Sequence, residues 1–239
     1  MNTIKFDKKN VKVVAHRGVS GLECENTCAA FVAAGNRSYF GIETDTHPTA
    51  DGEFIVIHDR SAERVSGVAV NVEEVNLSDL ADIRLYDMQE GVTRSDLTIP
   101  KLEEYIRICK RYEKVAVLEL KHVMTAETCA GIVKTIEALD YLEKTIFIAF
   151  DAQNCIQIRK LLPNATIQFL TKLWDDSILD MLIEYHFDLD IYYKSVTQEL
   201  IDTLHANSLE INCWTVNEPE CGEMLAEMGV DYITTNILE

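Results

Sequence analysis

Short runs of strand-forming residues take turns with amphipathic segments along almost all of the 239 residues of this chain. The strand candidates are "VKVVAH" (11–16), "YFGIETD" (39–45), "VAVLELK" (115–121), "TIFIAF" (145–150), "TIQFLTK" (166–172), "FDLDIYY" (187–193), "LEINCWTV" (209–216) and "VDYITT" (230–235). The helical periodicity falls in "ENTCAAFVAAG" (25–35), "LEEYIRICKRY" (102–112), "AETCAGIVKTIEALD" (126–140), "DAQNCIQIRKLL" (151–162), "DSILDMLIEYH" (176–186), "QELIDTLHAN" (198–207) and "PECGEMLAEMG" (219–229). Such alternation favours parallel strands, because a parallel crossover needs about a helix's length of chain. Eight strands, with a helix after each of the first seven, predict an α/β fold: a TIM (β/α)8 barrel whose last helix is missing or reduced to the final residues. The competing architecture is a doubly wound open sheet. The first strand argues against it, being followed by "HRGVSG" rather than a GxGxxG phosphate loop.

Residues 46–99 break the alternation between strand 2 and helix 2 and read as an insertion. In "PTADGEFIVIHD" the "ADGE" segment predicts a turn between extended stretches. "NLSDLADIRL" predicts a short helix capped by Asn76 or Ser78, and "TIPKLEEY" reopens the helical pattern. In a barrel this insertion rises from the C-terminal rim, where active sites form. No linker, repeat or low-complexity tract divides the chain, so residues 1–239 are expected to form one domain.

The balance of 22 basic and 40 acidic side chains, a formal charge of −18, repels nucleic-acid phosphate and anionic bilayers. An anion would need locally concentrated positive charge. "MNTIKFDKKN" lacks the apolar run of a signal peptide, and no stretch approaches the roughly 18 apolar residues of a membrane span. The cysteines at 24, 28, 109, 129, 155, 213 and 221 show no CxxC pairing, which predicts reduced thiols and a cytoplasmic location. Oligomeric state leaves no trace in the sequence.

Side chains two apart on a strand share a face. Glu43 and Asp45 end the second strand, Glu119 and Lys121 end the third, and His16 ends the first. Taken singly, each has a plainer reading. His16 would be a satisfied core histidine, Arg17 a surface charge, and His58 a loop histidine. Glu43, Asp45, Glu119 and Lys121 would be solvated or paired. Their joint occurrence on three consecutive strands and the following insertion favours a site. Three converging carboxylates resist ionisation unless a cation neutralises them, and their oxygens suit Mg²⁺ or Ca²⁺. Arg17 and Lys121 supply the positive charge an anionic substrate needs.

The succession HRG, EN, "IETD", "DGEFIVIHD", "LELK" and "WTVN", ending in "GVDYITTN", resembles the glycerophosphodiester phosphodiesterase family from His16 onward. The resemblance implies a TIM barrel, a divalent metal on Glu43, Asp45 and Glu119, and His16 and His58 as the acid/base pair. It also implies phosphate binding by Arg17 and Lys121, with Glu25 and Asn26 close to the site. The implied ion is Mg²⁺ or Ca²⁺, with Mn²⁺ as a further choice. Two positions depart from the family pattern: Cys24 stands where proline usually precedes EN, and Lys101 where threonine commonly follows "TIP".

The residues support the chemistry on their own terms. Displacement at a phosphodiester monoanion accumulates negative charge, which a divalent ion and two cationic side chains stabilise. One imidazole takes the nucleophile's proton and another protonates the leaving oxygen. Water, or the substrate's own glycerol hydroxyl through a cyclic phosphate, serves equally as nucleophile. The expected function is metal-dependent hydrolysis of a small-molecule glycerophosphodiester to glycerol 3-phosphate and an alcohol. A lysophospholipase D or sphingomyelinase D-like activity on lipids would need an apolar entrance, and "DRSAERVSGVAVNVEEVNLSD" in the insertion is mostly polar. A non-catalytic binding barrel would lack a ligand carboxylate or a histidine, and all are present. Trp214 reads either as core or as a wall for the glycerol moiety, on the face of Asn212 and Val216. Trp174 and Tyr192 fall near other strand ends. His47, His122, His186 and His205 are expected at the surface or behind the site, with His122 facing away from Lys121.

Overall fold

The computed structural model describes residues 2–88 and 91–239. The strands, in chain order, are β1 (Lys12–Ala15), β2 (Gly41–Pro48), β3 (Phe54–Val56), β4 (Val115–Leu120), β5 (Thr145–Ala149), β6 (Thr166–Thr171), β7 (Asp188–Tyr192), β8 (Ile211–Trp214) and β9 (Tyr232–Thr235). All but β3 pair in parallel, in the order β1-β9-β8-β7-β6-β5-β4-β2, and a β1–β2 ladder closes the ring. The eight-stranded barrel expected from the alternation is therefore present.

The helices are α1 (Cys28–Gly35), α2 (Glu63–Ser66), α3 (Leu77–Leu80), α4 (Leu102–Arg111), α5 (Ala126–Glu137), α6 (Ala152–Leu161), α7 (Asp176–Tyr185), α8 (Gln198–Ala206) and α9 (Pro219–Met228). Side-chain oxygens set several starts: Thr27, Thr125, Asp151, Asp175 and Thr197 each accept a backbone N–H from the first turn. Thr27 thereby begins α1 at Cys28, three residues later than the periodicity predicts, and leaves Glu25 and Asn26 in the loop. Among the described residues no helix follows β9.

Outward-facing strand residues such as Val13, Ile42, Leu118 and Ile191 pack with the helices as one core. Inward-facing Val14, Val117, Ile148, Leu170 and Tyr232 fill the barrel. The excursion after β2 holds together separately. β2 runs beyond the barrel so that Thr46–Pro48 pair antiparallel with β3. The turn between them passes through Gly52 at φ +80°, in the "ADGE" segment. Ile55, Ile57, Val65, Leu80, Leu85 and Leu97 then form a small core of their own. Asn76 caps α3, its N–H donating to Asp79 at 3.0 Å. The Lys101 N–H donates to Glu104 at 2.9 Å, so α4 starts cleanly without a threonine there. The seven cysteines are free thiols. Among the described residues, no helix is long and apolar enough to cross a membrane.

Candidate active site

Three acidic side chains meet at the C-terminal end of the barrel, on adjacent strands. Asp45 of β2 pairs in register with Glu119 of β4, and Glu43 lies two residues earlier on the same face. All three are buried, and their ligand oxygens lie within 4.8 Å of one another. Burial, then the charges of Asp45 and Glu119, pushes the Glu43 pKa well up. Burial and Asp45 likewise push Glu119 to about 7, against the pull of Lys121. Burial also acts on Asp45, but Lys121 at 3.3 Å and Arg17 at 3.6 Å overcome it and hold Asp45 well below the usual carboxylate range. The trio cannot ionise together without more positive charge. An all-carboxylate oxygen set of this kind fits a hard divalent cation.

His16 follows β1, and its N–H continues the ladder to Thr235 O at 2.8 Å. Its Nδ1 lies 2.7 Å from Asn236 Oδ1, and its Nε2 lies 4.0 Å from Glu43. Burial, reinforced by Arg17, lowers the His16 pKa to about 4. Arg17 sits at φ +53°, which turns its backbone N–H onto Glu43 Oε2 at 2.8 Å. Gly18, at φ +76°, passes so close to α1 that a Cβ there would fall 2.6 Å from the Ala30 Cβ. This contact accounts for the glycine of "HRG".

Glu25 and Asn26 position these groups. Glu25 accepts from Arg17 at 2.9 Å and from both terminal nitrogens of Arg64, at 2.8 and 3.0 Å. Asn26 Nδ2 donates to Asp45 at 2.9 Å, and its Oδ1 accepts from Thr44. Cys24 is buried in the small core of the excursion, and its carbonyl accepts from Thr27 at 2.7 Å. Lys121 Nζ lies 2.8 Å from Glu119.

His58 lies just beyond β3, where the Ile57 N–H donates to Asp45 O at 3.0 Å. Its Nδ1 is 2.6 Å from Asp59 Oδ1, and Arg64 ties Asp59 back to Glu25. Burial lowers the His58 pKa, with Arg17 and Lys121 helping and Asp45 opposing. Asn236, Asp59 and Arg64 were not among the expected site residues. Asp59 directly follows His58 in "IVIHD", which is a local signal. Asn236 reaches His16 only because β9 closes the barrel beside β1.

Trp214 ends β8 with its ring 5.6 Å from Phe150 and 5.8 Å from Tyr192, and its Nε1 is buried without a partner among the described residues. Asn212 points inward with it and donates to Gln168, whereas Val216 packs into the outer core. The expected shared face of Trp214 and Val216 therefore does not form, because β8 ends at Trp214. Trp174 also packs against the outer core. His47 is fully buried, not superficial. His122 and Lys121 line the same cavity, although strand alternation would face them apart, because β4 ends at Leu120; the His122 ring centroid lies 5.5 Å from that of His47. His186 ends α7, and His205 pairs with Asp231 on the surface. A cavity of about 530 Å³ opens beside the trio, lined by Arg60, Glu119, Lys121, His122, Phe150 and Asp151 among others.

A (β/α)8 barrel with a carboxylate trio, flanking cations and two histidines at its C-terminal mouth belongs with enzymes of metal-assisted phosphoester chemistry. The model of the glycerophosphoryl diester phosphodiesterase family matches residues 16–239, and the chain belongs to that family of phosphoric diester hydrolases. It is 26% identical over 227 residues to a glycerophosphodiester phosphodiesterase of Caldanaerobacter subterraneus subsp. tengcongensis, covering 94% of this chain and 93% of the relative. It is 27% identical over 235 residues to one from Bacillus altitudinis, covering 94% of each. A solved Oleispira antarctica phosphodiesterase, in complex with its product sn-glycerol-3-phosphate, shares the fold at TM-score 0.85 and 20% identity, covering 98% of this chain and 96% of that one. A glycerophosphodiester phosphodiesterase from Parabacteroides distasonis gives TM-score 0.78 at 27% identity, covering 95% and 93%.

Proposed function

We propose that this protein hydrolyses glycerophosphodiesters to glycerol 3-phosphate and an alcohol, as a single cytoplasmic domain over residues 1–239. The carrying observation is the buried trio of Glu43, Asp45 and Glu119, with two of the three pushed towards protonation. These carboxylates would hold Mg²⁺ or Ca²⁺, with Mn²⁺ as a substitute. The bound ion would supply Lewis-acid stabilisation of charge on the phosphoryl oxygens. It would also relieve Arg17 and Lys121 of their pairing with the carboxylates, leaving both cations to face the substrate phosphate.

The hydrogen bonds support a division of the histidine roles. Asn236 Oδ1 accepts, so His16 carries its proton on Nδ1 and keeps the Nε2 lone pair on the Glu43 side. Burial and Arg17 keep this imidazole neutral at pH 7, as a base requires. For His58, burial and the Arg17 and Lys121 charges lower the pKa overall, while Asp45 and the Asp59 contact on Nδ1 pull the other way; with His16 assigned as base, we assign His58 the acid role at the leaving oxygen. The leaving group would then lie towards Phe150 and Tyr192, with Trp214 packed between them.

One observation supports a second reading. Val123, Phe150 and Leu173, on loops that follow β4, β5 and β6, are 71%, 44% and 74% exposed and give part of the rim an apolar character. Lysophospholipids would cover more of that surface than headgroup diesters would. A coupled assay for released glycerol 3-phosphate, run on choline, ethanolamine, glycerol and inositol diesters, tests the main reading. Turnover is expected to vanish in excess EDTA and return with Mg²⁺, Ca²⁺ or Mn²⁺. Full turnover by protein shown metal-free by elemental analysis would overturn the metal role. Preferential cleavage of lysophosphatidylcholine would favour the second reading.

A further inference from the structure

His47 sits beside the site described above, in a polar setting of its own. Its ring is fully buried where β2 leaves the barrel, and both ring nitrogens face acceptors. Nδ1 lies 2.8 Å from Glu73 Oε1, and Nε2 lies 3.2 Å from the backbone oxygen of His58. A neutral imidazole has a single N–H. The carbonyl accepts only, so Nε2 keeps the hydrogen and the Nδ1 lone pair meets a carboxylate. A metal ion placed between them would be held by both.

The surroundings favour the ion. The His122 ring is turned towards His47, and one ligand atom from each of His47, Glu73 and His122 falls within 4.8 Å of the others. Arg60 Nε holds the second Glu73 oxygen at 2.9 Å and so fixes the carboxylate. An ion with bonds of about 2.0–2.2 Å draws its ligands closer than 4.8 Å. His122 can make that movement, because it is exposed and its ring has no hydrogen bond among the described residues. The same histidine lines the cavity beside the trio, which provides an entry path.

We propose that His47 Nδ1, Glu73 and His122 form a second cation site, for a nitrogen-seeking divalent ion of the Zn²⁺ type. Two imidazoles and one carboxylate select transition metals, whereas the all-oxygen trio selects hard ions, so the two sites differ in taste. The Nε2–H bond from His47 to a backbone carbonyl is the outer contact that metal-bound histidines regularly make. That carbonyl belongs to His58, which ties the second site to the loop carrying the proposed acid.

The test uses the full chain saturated with Mg²⁺, titrated with Co²⁺ and followed by equilibrium dialysis and visible absorption. One additional Co²⁺ is expected, with the intense bands of a low-coordinate nitrogen-containing site, and Zn²⁺ should displace it. Outer partners of metal ligands alone are worth roughly 10–100-fold in affinity, so His122→Ala and Glu73→Gln should each lose at least that much. Both side chains are at least partly exposed, and thermal melting checks that the fold survives. Absence of additional Co²⁺, an all-oxygen spectrum, or undiminished affinity in both variants would overturn the site. His47 would then serve only as a hydrogen-bond partner of Glu73.

Discussion

Around the mouth of the barrel, the ends of β9, β1, β2 and β4 carry Asn236, His16, Arg17, Glu43, Asp45, Glu119 and Lys121, whereas the ends of β5, β6 and β8 carry Phe150, Leu173 and Trp214. The same backbone frame presents two chemistries. On the charged side every ionisable group leans on another, as with Arg17 held by Glu25 and Asp45 held by Asn26 and Lys121. Such groups cost desolvation, and cross-pairing recovers part of it. The aromatic side instead leaves polar atoms unpaired: among the described residues, Trp214 Nε1, Gln168 Nε2 on β6 and Asp190 Oδ1 on β7 are buried without a partner. On our proposed reading, the difference gives a bound diester its direction: phosphate over the carboxylates and leaving group over the rings.

The strongest way to break this division is to remove a proton carrier from the charged side. His16→Gln and His58→Gln should each keep the fold while lowering kcat by roughly 10²–10⁴-fold, because Gln can hydrogen-bond and cannot titrate. The losses should be non-additive, since both histidines serve one transition state. A nitrophenyl diester, whose leaving oxygen needs little protonation, should rescue His58→Gln and not His16→Gln. The reverse pattern would exchange the acid and base roles. Wild-type kcat in both variants would make these histidines structural.

A metal titration across pH sharpens the same side. Glu119 rises from 4.5 to about 7 in the metal-free fold, and Glu43 is also raised. The folded protein therefore binds more protons than the unfolded chain between those values, and metal-free stability falls as pH rises through that window. A divalent ion removes the loss by holding both groups as carboxylates. The Tm gap between Mg²⁺-saturated and EDTA-treated protein should thus widen from about pH 5 to about pH 8. His16, lowered from 6.5 to about 4, has the opposite sign and destabilises the metal-free fold as pH falls through that range. Above about pH 7 it is neutral in either state and adds nothing to the widening. A gap independent of pH would mean the trio is already ionised without metal.

The two sides were not equally legible in the sequence. Barrel strands alternate faces and keep register, so Glu43, Asp45 and Glu119 announce a cluster through spacing alone. The neighbourhood of His47 is hidden for physical reasons. β2 outruns the barrel to pair with β3, Glu73 arrives through a loop 26 residues further along, and His122 turns at φ +54° just after β4 ends. None of these has a period. Contacts made by closure, such as His16 with Asn236 across 220 residues, are equally invisible to local pattern. Val216 was misplaced because alternation was carried past the last paired residue of β8.

The smallest expected effect lies on the aromatic side, at Phe150. Its ring meets Trp214 edge-on at 5.6 Å, and 44% of its surface is open to the cavity and solvent. Nothing charged depends on it, so Phe150→Ala should leave Mg²⁺ dependence and the pH profile unchanged. An aromatic contact of this kind is worth about 0.5–1.5 kcal/mol, or roughly 2- to 10-fold in affinity. The contact is made to the headgroup in both ground and transition states, so KM should rise by that factor at constant kcat. A quaternary ammonium headgroup gains from an aromatic face, so the choline diester should lose more than the glycerol diester. A lysophospholipid, covering more of the apolar rim, should lose more still if lipids are the true substrates. A fall in kcat at unchanged KM would mean that Phe150 acts through Lys121, its neighbour in the cavity wall, and the mouth would no longer divide into two independent halves.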